Sequence, residues 1–250
     1  MVQRLVYSLV LACLFLSAPA SLAQSKTRAA LDFTYLPEKG GDKYNKRIPV
    51  KTIALNHNEF VILSRQATNT YAVEKYSAEL KKAWQAIIPL AETETAEAFY
   101  TSATTVVVVT RKENAVSQQL YAHQINLQTG MKQDGVLLLE APAKDRRAGV
   151  SYSADGSKLL AYRYHPDDNH QIKDITGALY DANLQKIAEL KYNLSDVVGI
   201  MTTEIKVGNA GEQYVCLISD NMNRLTVRQY STASPQAKVM SVLVGGIYDG

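Results

Sequence analysis

Glu74-Lys75-Tyr76-Ser77-Ala78-Glu79-Leu80, Ala178-Leu179-Tyr180-Asp181-Ala182-Asn183-Leu184 and Arg228-Gln229-Tyr230-Ser231-Thr232 are three versions of one phrase. Each runs through a strand-like segment to a Tyr and then turns through small polar residues. Gln124-Ile125-Asn126-Leu127-Gln128-Thr129-Gly130 is a weaker fourth version, with Ile in place of Tyr. The marked positions are 76, 125, 180 and 230, so the phrase returns about every 50 residues, a period that points to a propeller or a solenoid.

Outward from these phrases the chain reads as sixteen short strands in four units. The first unit (about 50–90) holds 50–55, 59–65, 70–76 and 83–88; the second (96–140) holds 96–101, 104–111, 118–126 and 135–140. The third (147–192) holds 148–153, 158–164, 176–181 and 186–192; the fourth (197–244) holds 198–207, 213–219, 225–231 and 238–244. These segments are rich in Val, Ile, Thr and Tyr, with Asn, Asp, Gly and Ser between most of them. Tyr occurs 15 times and Phe only 4, which suits sheets with one packed and one wet face. The segment 74–85 admits a helical period when read alone. The matching positions elsewhere carry Thr-Gly, Asn-Leu and Thr-Ala-Ser-Pro, which favours a hairpin. Four strands per unit predict an all-β, propeller-like array of four four-stranded blades, in which each sheet buries its faces against its neighbours.

Val150-Ser151-Tyr152-Ser153-Ala154-Asp155-Gly156-Ser157-Lys158-Leu159-Leu160-Ala161-Tyr162 resembles the repeat of TolB-type, WD-like periplasmic propellers, whose pattern runs approximately F-S-P-D-G-K-x-L-A-Y. Ala154 stands where that pattern has Pro, and Ser157 is an extra residue before the Lys. One good copy is present. The resemblance implies the architecture and leaves the function open. Asp155-Gly156 has a physical task of its own, since Gly takes positive φ in a tight turn between strands. Propellers typically carry about 4–8 blades. Four units ending on Gly245-Gly246-Ile247-Tyr248-Asp249-Gly250 leave two readings: a truncated or open arc of blades, which is favoured, or a closed four-bladed ring.

Residues 1–23 read as a secretory signal peptide: Arg4, an apolar run from Leu5 to Leu16, and small residues at Ser21-Leu22-Ala23 before cleavage at Gln24. That run is short of the roughly 20 apolar residues a spanning helix needs, and no later segment predicts a transmembrane helix. A rival reading makes Val10-Leu11-Ala12-Cys13 a lipoprotein box with a lipid anchor on Cys13. Residues 24–49 read as a polar linker with a possible ring-closing strand at 31–36, and 50–250 as the propeller-like domain. These features predict an exported protein of the periplasm, cell surface or extracellular space of a bacterial envelope.

With the leader removed, Cys216 is the single cysteine and no internal disulfide can form. Its apolar strand predicts a small buried hydrophobe; a reactive thiol would need a base and some exposure. The formal net charge is +3, with charges of both signs interspersed. Lys81-Lys82 and Lys144-Asp145-Arg146-Arg147 read as solvated turns, so no nucleic-acid partner is expected.

The one local cluster with metal-ligating chemistry is His165-Pro166-Asp167-Asp168-Asn169-His170. His165, Asp167, Asp168 and His170 together could hold a transition metal or Ca²⁺ on a loop between strands. Pro-Asp-Asp-Asn is also ordinary turn chemistry, and the turn is the preferred reading. His57 reads as a turn residue, and His123 as an exposed strand position in the column of Glu74, Ala178 and Arg228. Glu92, Glu94 and Glu97 read as an exposed acidic run, and Trp84 as packing between blades. No G-x-S-x-G, phosphate-binding glycine loop, H-E-x-x-H or paired C-x-x-C occurs, so no catalytic residue and no cofactor is assigned. The expected role is non-catalytic: binding a protein or glycan on a propeller face, or scaffolding. The alternatives are a glycan-active enzyme built on propeller loops and an N-terminal fragment of a longer propeller protein.

Overall fold

The computed structural model describes residues 48, 50–167, 171–200, 202–232 and 234–244. The expected leader at 1–23, Cys13, the linker at 24–47 and the strand at 31–36 lie outside the described residues.

Sixteen strands form four antiparallel sheets, each a meander in chain order. Blade 1 is β1 (Thr52–Ala54), β2 (Phe60–Ala67), β3 (Thr70–Tyr76) and β4 (Lys82–Pro89). Blade 2 is β5 (Glu94–Thr101), β6 (Thr105–Glu113), β7 (Ser117–Asn126) and β8 (Val136–Pro142). Blade 3 is β9 (Gly149–Tyr152), β10 (Lys158–Pro166), β11 (Ile172–Asp181) and β12 (Lys186–Asn193). Blade 4 is β13 (Thr202–Val207), β14 (Gln213–Ser219), β15 (Arg224–Ser231) and β16 (Ser234–Leu243). Each of the sixteen strands expected after residue 50 is present. The helical alternative at 74–85 is not realised, because β3 and β4 pair there as a hairpin. β13 starts later than the expected 198, since Gly199 takes φ +67° and breaks the extended run.

Side chains alternate between the two faces of each sheet, and each face meets a different neighbour. Val61, Leu63, Tyr71 and Val73 of blade 1 pack on Phe99, Val106, Val108 and Ile125 of blade 2. Val107, Val109, Leu120 and Ala122 of blade 2 pack on Leu159, Ala161, Ala178 and Tyr180 of blade 3. Leu160, Tyr162, Ile175 and Leu179 of blade 3 pack on Ile205, Val207, Val215 and Leu217 of blade 4. The first strand β9 lies against both β5 and β13, so first strands gather along one side of the array. Burial of this apolar area, at about 25 cal/mol per Å², holds the blades together. The described clusters join blade 1 to 2, 2 to 3 and 3 to 4, and none joins 4 to 1. The result is an incomplete, propeller-like array. On blade 4 the face turned from blade 3 carries Tyr214, Cys216, Ile218, Leu225, Val227, Met240 and Val242, all partly or largely exposed.

The repeated phrase lies on the third strand of each blade. Ile125, Tyr180 and Tyr230 all pack into the core shared with the preceding blade. Tyr180 Oη donates to the Leu138 carbonyl of blade 2, and the Tyr230 ring lies 4.7 Å from that of Tyr192 in blade 3. Tyr76 is fully buried, its ring stacked 5.4 Å from Phe60. The next residue starts the turn with its side-chain oxygen. Ser77 Oγ accepts from the N–H groups of Glu79 and Lys81, Asn126 Oδ1 from Gln128 and Thr129, and Asp181 Oδ1 from Asn183 and Gln185.

Candidate functional site

In an antiparallel meander the turns between second and third strands share one end of the blade with the inter-blade linkers. That end collects most of the polar side chains considered above. Glu97, expected to be exposed, is largely buried there with its carboxylate between Arg111 and Arg147; Thr95 Oγ1 donates to it at 2.8 Å. Glu94 is also largely buried, accepting from Thr110 Oγ1 at 2.5 Å and from the Ala91 N–H at 3.0 Å. The strand begins at Glu94, two residues earlier than expected, and this turns both carboxylates into blade 2 while Glu92 stays exposed. In the basic turn Lys144 and Arg146 are exposed as expected, with Arg146 over the Tyr164 ring at 4.5 Å, while Arg147 is half-buried and binds Glu97. Lys82, read as part of a solvated turn, opens β4 and binds the Glu74 carboxylate at 2.8 Å.

His165 and Asp167 sit at this end on blade 3 and point to separate partners. His165 Nε2 is 2.6 Å from Thr176 Oγ1 and 3.9 Å from the Asp174 carboxylate. Asp167 accepts from the Gln171 N–H at 2.9 Å and pairs with Lys173 at 3.3 Å. Asp168 and His170 lie outside the described residues. Among the described residues no group of three or more His, Cys, Asp or Glu converges on one point.

A polar cleft of about 630 Å³ lies at this end between the linker from blade 3 and the near face of blade 4. The linker supplies Asp196, Val197, Val198 and Gly199; the β14–β15 turn supplies Asp220 and Asn221. The floor is a ladder on β15, Arg224, Thr226 and Arg228, with Val239 and Ser241 beside it on β16. Strand periodicity puts these three β15 residues on one face, since they are two apart. Arg228 is 8 % exposed; its Nη2 donates to Asp196 Oδ2 at 2.6 Å and its Nη1 to the Asn193 carbonyl at 3.0 Å. Its Nε is buried with no acceptor within reach among the described residues. The Arg228 guanidinium holds the Asp196 carboxyl below its ordinary range. Thr226 Oγ1 lies 3.0 Å from Ser241 Oγ.

Two small residues, Thr226 and Ser241, lie side by side in the floor of the cleft. At the place of Thr226, two residues before the His123–Ala178–Arg228 column, blade 2 has Tyr121, which pairs across the sheet with Leu137. Blade 3 has Thr176 there, and its hydroxyl meets His165 Nε2 at 2.6 Å and Arg163 Nε at 3.4 Å. In blade 4 the matching pair is Thr226 and Ser241, which fill far less volume.

The third-strand column was expected to be exposed at His123, and it is buried. His123 is 14 % exposed, with Nε2 3.1 Å from Thr110 Oγ1 and 3.9 Å from Glu94. Glu74 is 1 % exposed, between the Tyr76 hydroxyl at 2.6 Å and Lys82 at 2.8 Å. In blades 2 to 4 the column lies on the face turned to the preceding blade, and its charges are largely buried because each finds a partner. Cys216 is half-buried, not fully buried as expected, because it lies on the face of blade 4 turned from blade 3; burial pushes its thiol pKa up, the opposite of an activated nucleophile. Trp84 bridges blades 1 and 2, donating from Nε1 to the Leu127 carbonyl at 3.1 Å and lying against Gly130. Sequence reasoning passed over Arg224, Thr226 and Arg228. Their signal was available: polar residues alternate with Leu225 and Val227 through a predicted strand.

No family model matches the sequence, and no curated protein matches it. Solved structures do resemble the fold. The crystal structure of HIRA(644–1017) aligns with TM-score 0.44 at 12 % identity, covering 76 % of this chain and 54 % of that one. The Nup133 β-propeller domain of Vanderwaltozyma polyspora aligns with TM-score 0.40 at 9 % identity, covering 72 % and 54 %. The β-propeller domain of the Trilobed protease from Pyrococcus furiosus aligns with TM-score 0.44 at 12 % identity, covering 74 % and 54 %. The chain thus spans about half the length of these structures.

Proposed function

We propose that this protein is an exported, non-catalytic binding or scaffolding propeller of the bacterial envelope, akin to TolB-type propellers, which engages its ligand at the linker end of the blades. The carrying observation is the cleft over Arg224, Thr226 and Arg228. It is of ligand size, open, and lined by fixed hydrogen-bonding groups. Its best-defined charges, Arg228 and Asp196, are bound to each other. A carboxyl held down by a guanidinium is a poor proton carrier near neutral pH, so the pair suits recognition better than acid–base chemistry. Among the described residues no helix is long and apolar enough to cross a membrane.

The test has two parts. Expression with residues 1–23 present should yield a periplasmic or secreted product starting at Gln24; retention in the cytoplasm with an intact leader would refute export. Purified protein immobilised in envelope extract should capture a component saturably.

A glycan-active enzyme is the second reading, favoured by the presence of both Asp196 and Asp220 at one cleft. It requires turnover of an envelope polysaccharide that disappears in Asp220→Asn.

A further inference from the structure

We infer that the cleft between the blade 3–4 linker and β15–β16 is a binding site for a small polar acid, a ligand joining a carboxylate to neighbouring hydrogen-bond donors. The inference deepens the binding reading above and rests on it.

Three observations carry it. The first is the ladder itself: Arg224 and Arg228 flank the buried Thr226 on one strand face. Arg224 makes no ion pair among the described residues, so its guanidinium is open to a carboxylate. The second is Arg228, nine-tenths buried and lining the cleft, its Nη1 and Nη2 held by the Asn193 carbonyl and Asp196 so that the guanidinium is fixed in the floor. A charge already held in place loses little freedom when a ligand docks beside it. The third is the size of the floor residues: Thr226 and Ser241 pair at the position where blade 2 pairs the bulkier Tyr121 with Leu137.

The rim defines the rest of the ligand. Asp220 offers acceptor oxygens and Asn221 an amide, in the turn that leads into Arg224. Two arginines and two aspartates line the cleft, so its formal charges balance. A simple anion gains little from such a lining. A ligand with a carboxylate at one end and hydroxyl or amine donors at the other gains from both sides. About 630 Å³ accommodates one sugar ring or a dipeptide. Uronic acids and free peptide C-termini share this chemistry, and Thr226 and Ser241 are the specificity-determining positions.

The experiment is calorimetric titration of the full chain with glucuronate and, separately, alanyl-alanine, with methyl glucoside and propionate as controls. Saturable millimolar or tighter binding of either acid, with both controls at least tenfold weaker, supports the site. Glucuronate binding assigns an acidic glycan; alanyl-alanine binding assigns a peptide terminus. Thr226→Tyr, which copies blade 2, should abolish binding, and the exposed Arg224→Gln should weaken it at least tenfold without altering thermal unfolding. Failure of both acids to bind, or wild-type affinity in folded Thr226→Tyr and in Arg224→Gln, overturns the assignment. Capture from envelope extract separates the two levels. Equal capture by wild type and Thr226→Tyr refutes the cleft while leaving a binding propeller; capture by neither, together with silent titrations, refutes both.

Discussion

A Cβ on Gly156 would lie 2.0 Å from the Thr101 carbonyl oxygen of blade 2, and φ at Gly156 is +67°. Gly156→Ala therefore meets two penalties, left-handed backbone and a collision with a neighbouring blade. We expect a loss of about 2–4 kcal/mol, read as a lower urea midpoint at unchanged slope. A loss below about 0.5 kcal/mol would refute the close approach. Met222 shows the converse. It has φ +71°, follows Asn221 at +50°, and Asn223 N–H donates to the Asp220 carbonyl, which defines a primed hairpin turn with a bulky residue where Gly is preferred. Met222 is exposed and offers no compensating burial. Met222→Gly should raise stability by about 1 kcal/mol in the same urea titration. Leu184 is left-handed as well, at φ +60°, but it is 4 % exposed in the core between blades 2 and 3. There burial outweighs strain, and glycine would destabilise.

At the scale of elements, the start of β5 binds blade 2 together through Glu94, Thr110 and His123. Burial alone would raise the Glu94 carboxyl, but the nearby His123 imidazole and hydrogen bonds from Thr110 and the Ala91 N–H outweigh it and lower it from the usual 4.5 to about 2. A carboxyl whose folded value lies below its unfolded value stabilises the fold above the unfolded value, and that contribution fades on acidification. The Glu94 contribution should be complete above about pH 4.5 and lost between about 4.5 and 2. Melting temperatures of wild type and Glu94→Gln, followed from pH 7 downwards, should differ at neutrality and converge in acid. A constant gap would refute the network. This element also marks where the sequence became hard to read. Strand alternation located β5, yet starting it at 96 left Glu94 outside the sheet, and Glu97, inside it, read as exposed. Which face a charged residue takes depends on partners from β6, β7 and the 143–148 segment, and these are far away in sequence.

For the whole molecule, the two faces of blade 4 differ. Val215 is fully buried against blade 3, whereas Val227, on the opposite face, is only half-buried. Val215→Asp should unfold the blade, since an unpaired buried charge costs several kcal/mol. Val227→Asp should cost under about 1 kcal/mol and improve solubility. Equal effects in circular dichroism melts would contradict the one-sided packing of this blade.

The sequence by itself determined the sixteen strands, their grouping by four and the turn after each Tyr. These depend on period-two alternation, on side-chain oxygens at Ser77, Asn126 and Asp181, and on left-handed positions, all of which act within a few residues. It also singled out the third-strand column without revealing its burial. Only the tertiary structure decided that Arg228 reaches a neighbouring blade while Glu74 is buried among partners of its own sheet, that His165 and Asp167 turn to different partners, and that Thr226 and Ser241 lie in a cleft. Those outcomes depend on which side chains meet across a hairpin or arrive from another strand, 15 residues away for Ser241 on Thr226, and on the volume they leave unfilled. Local periodicity carries no record of either.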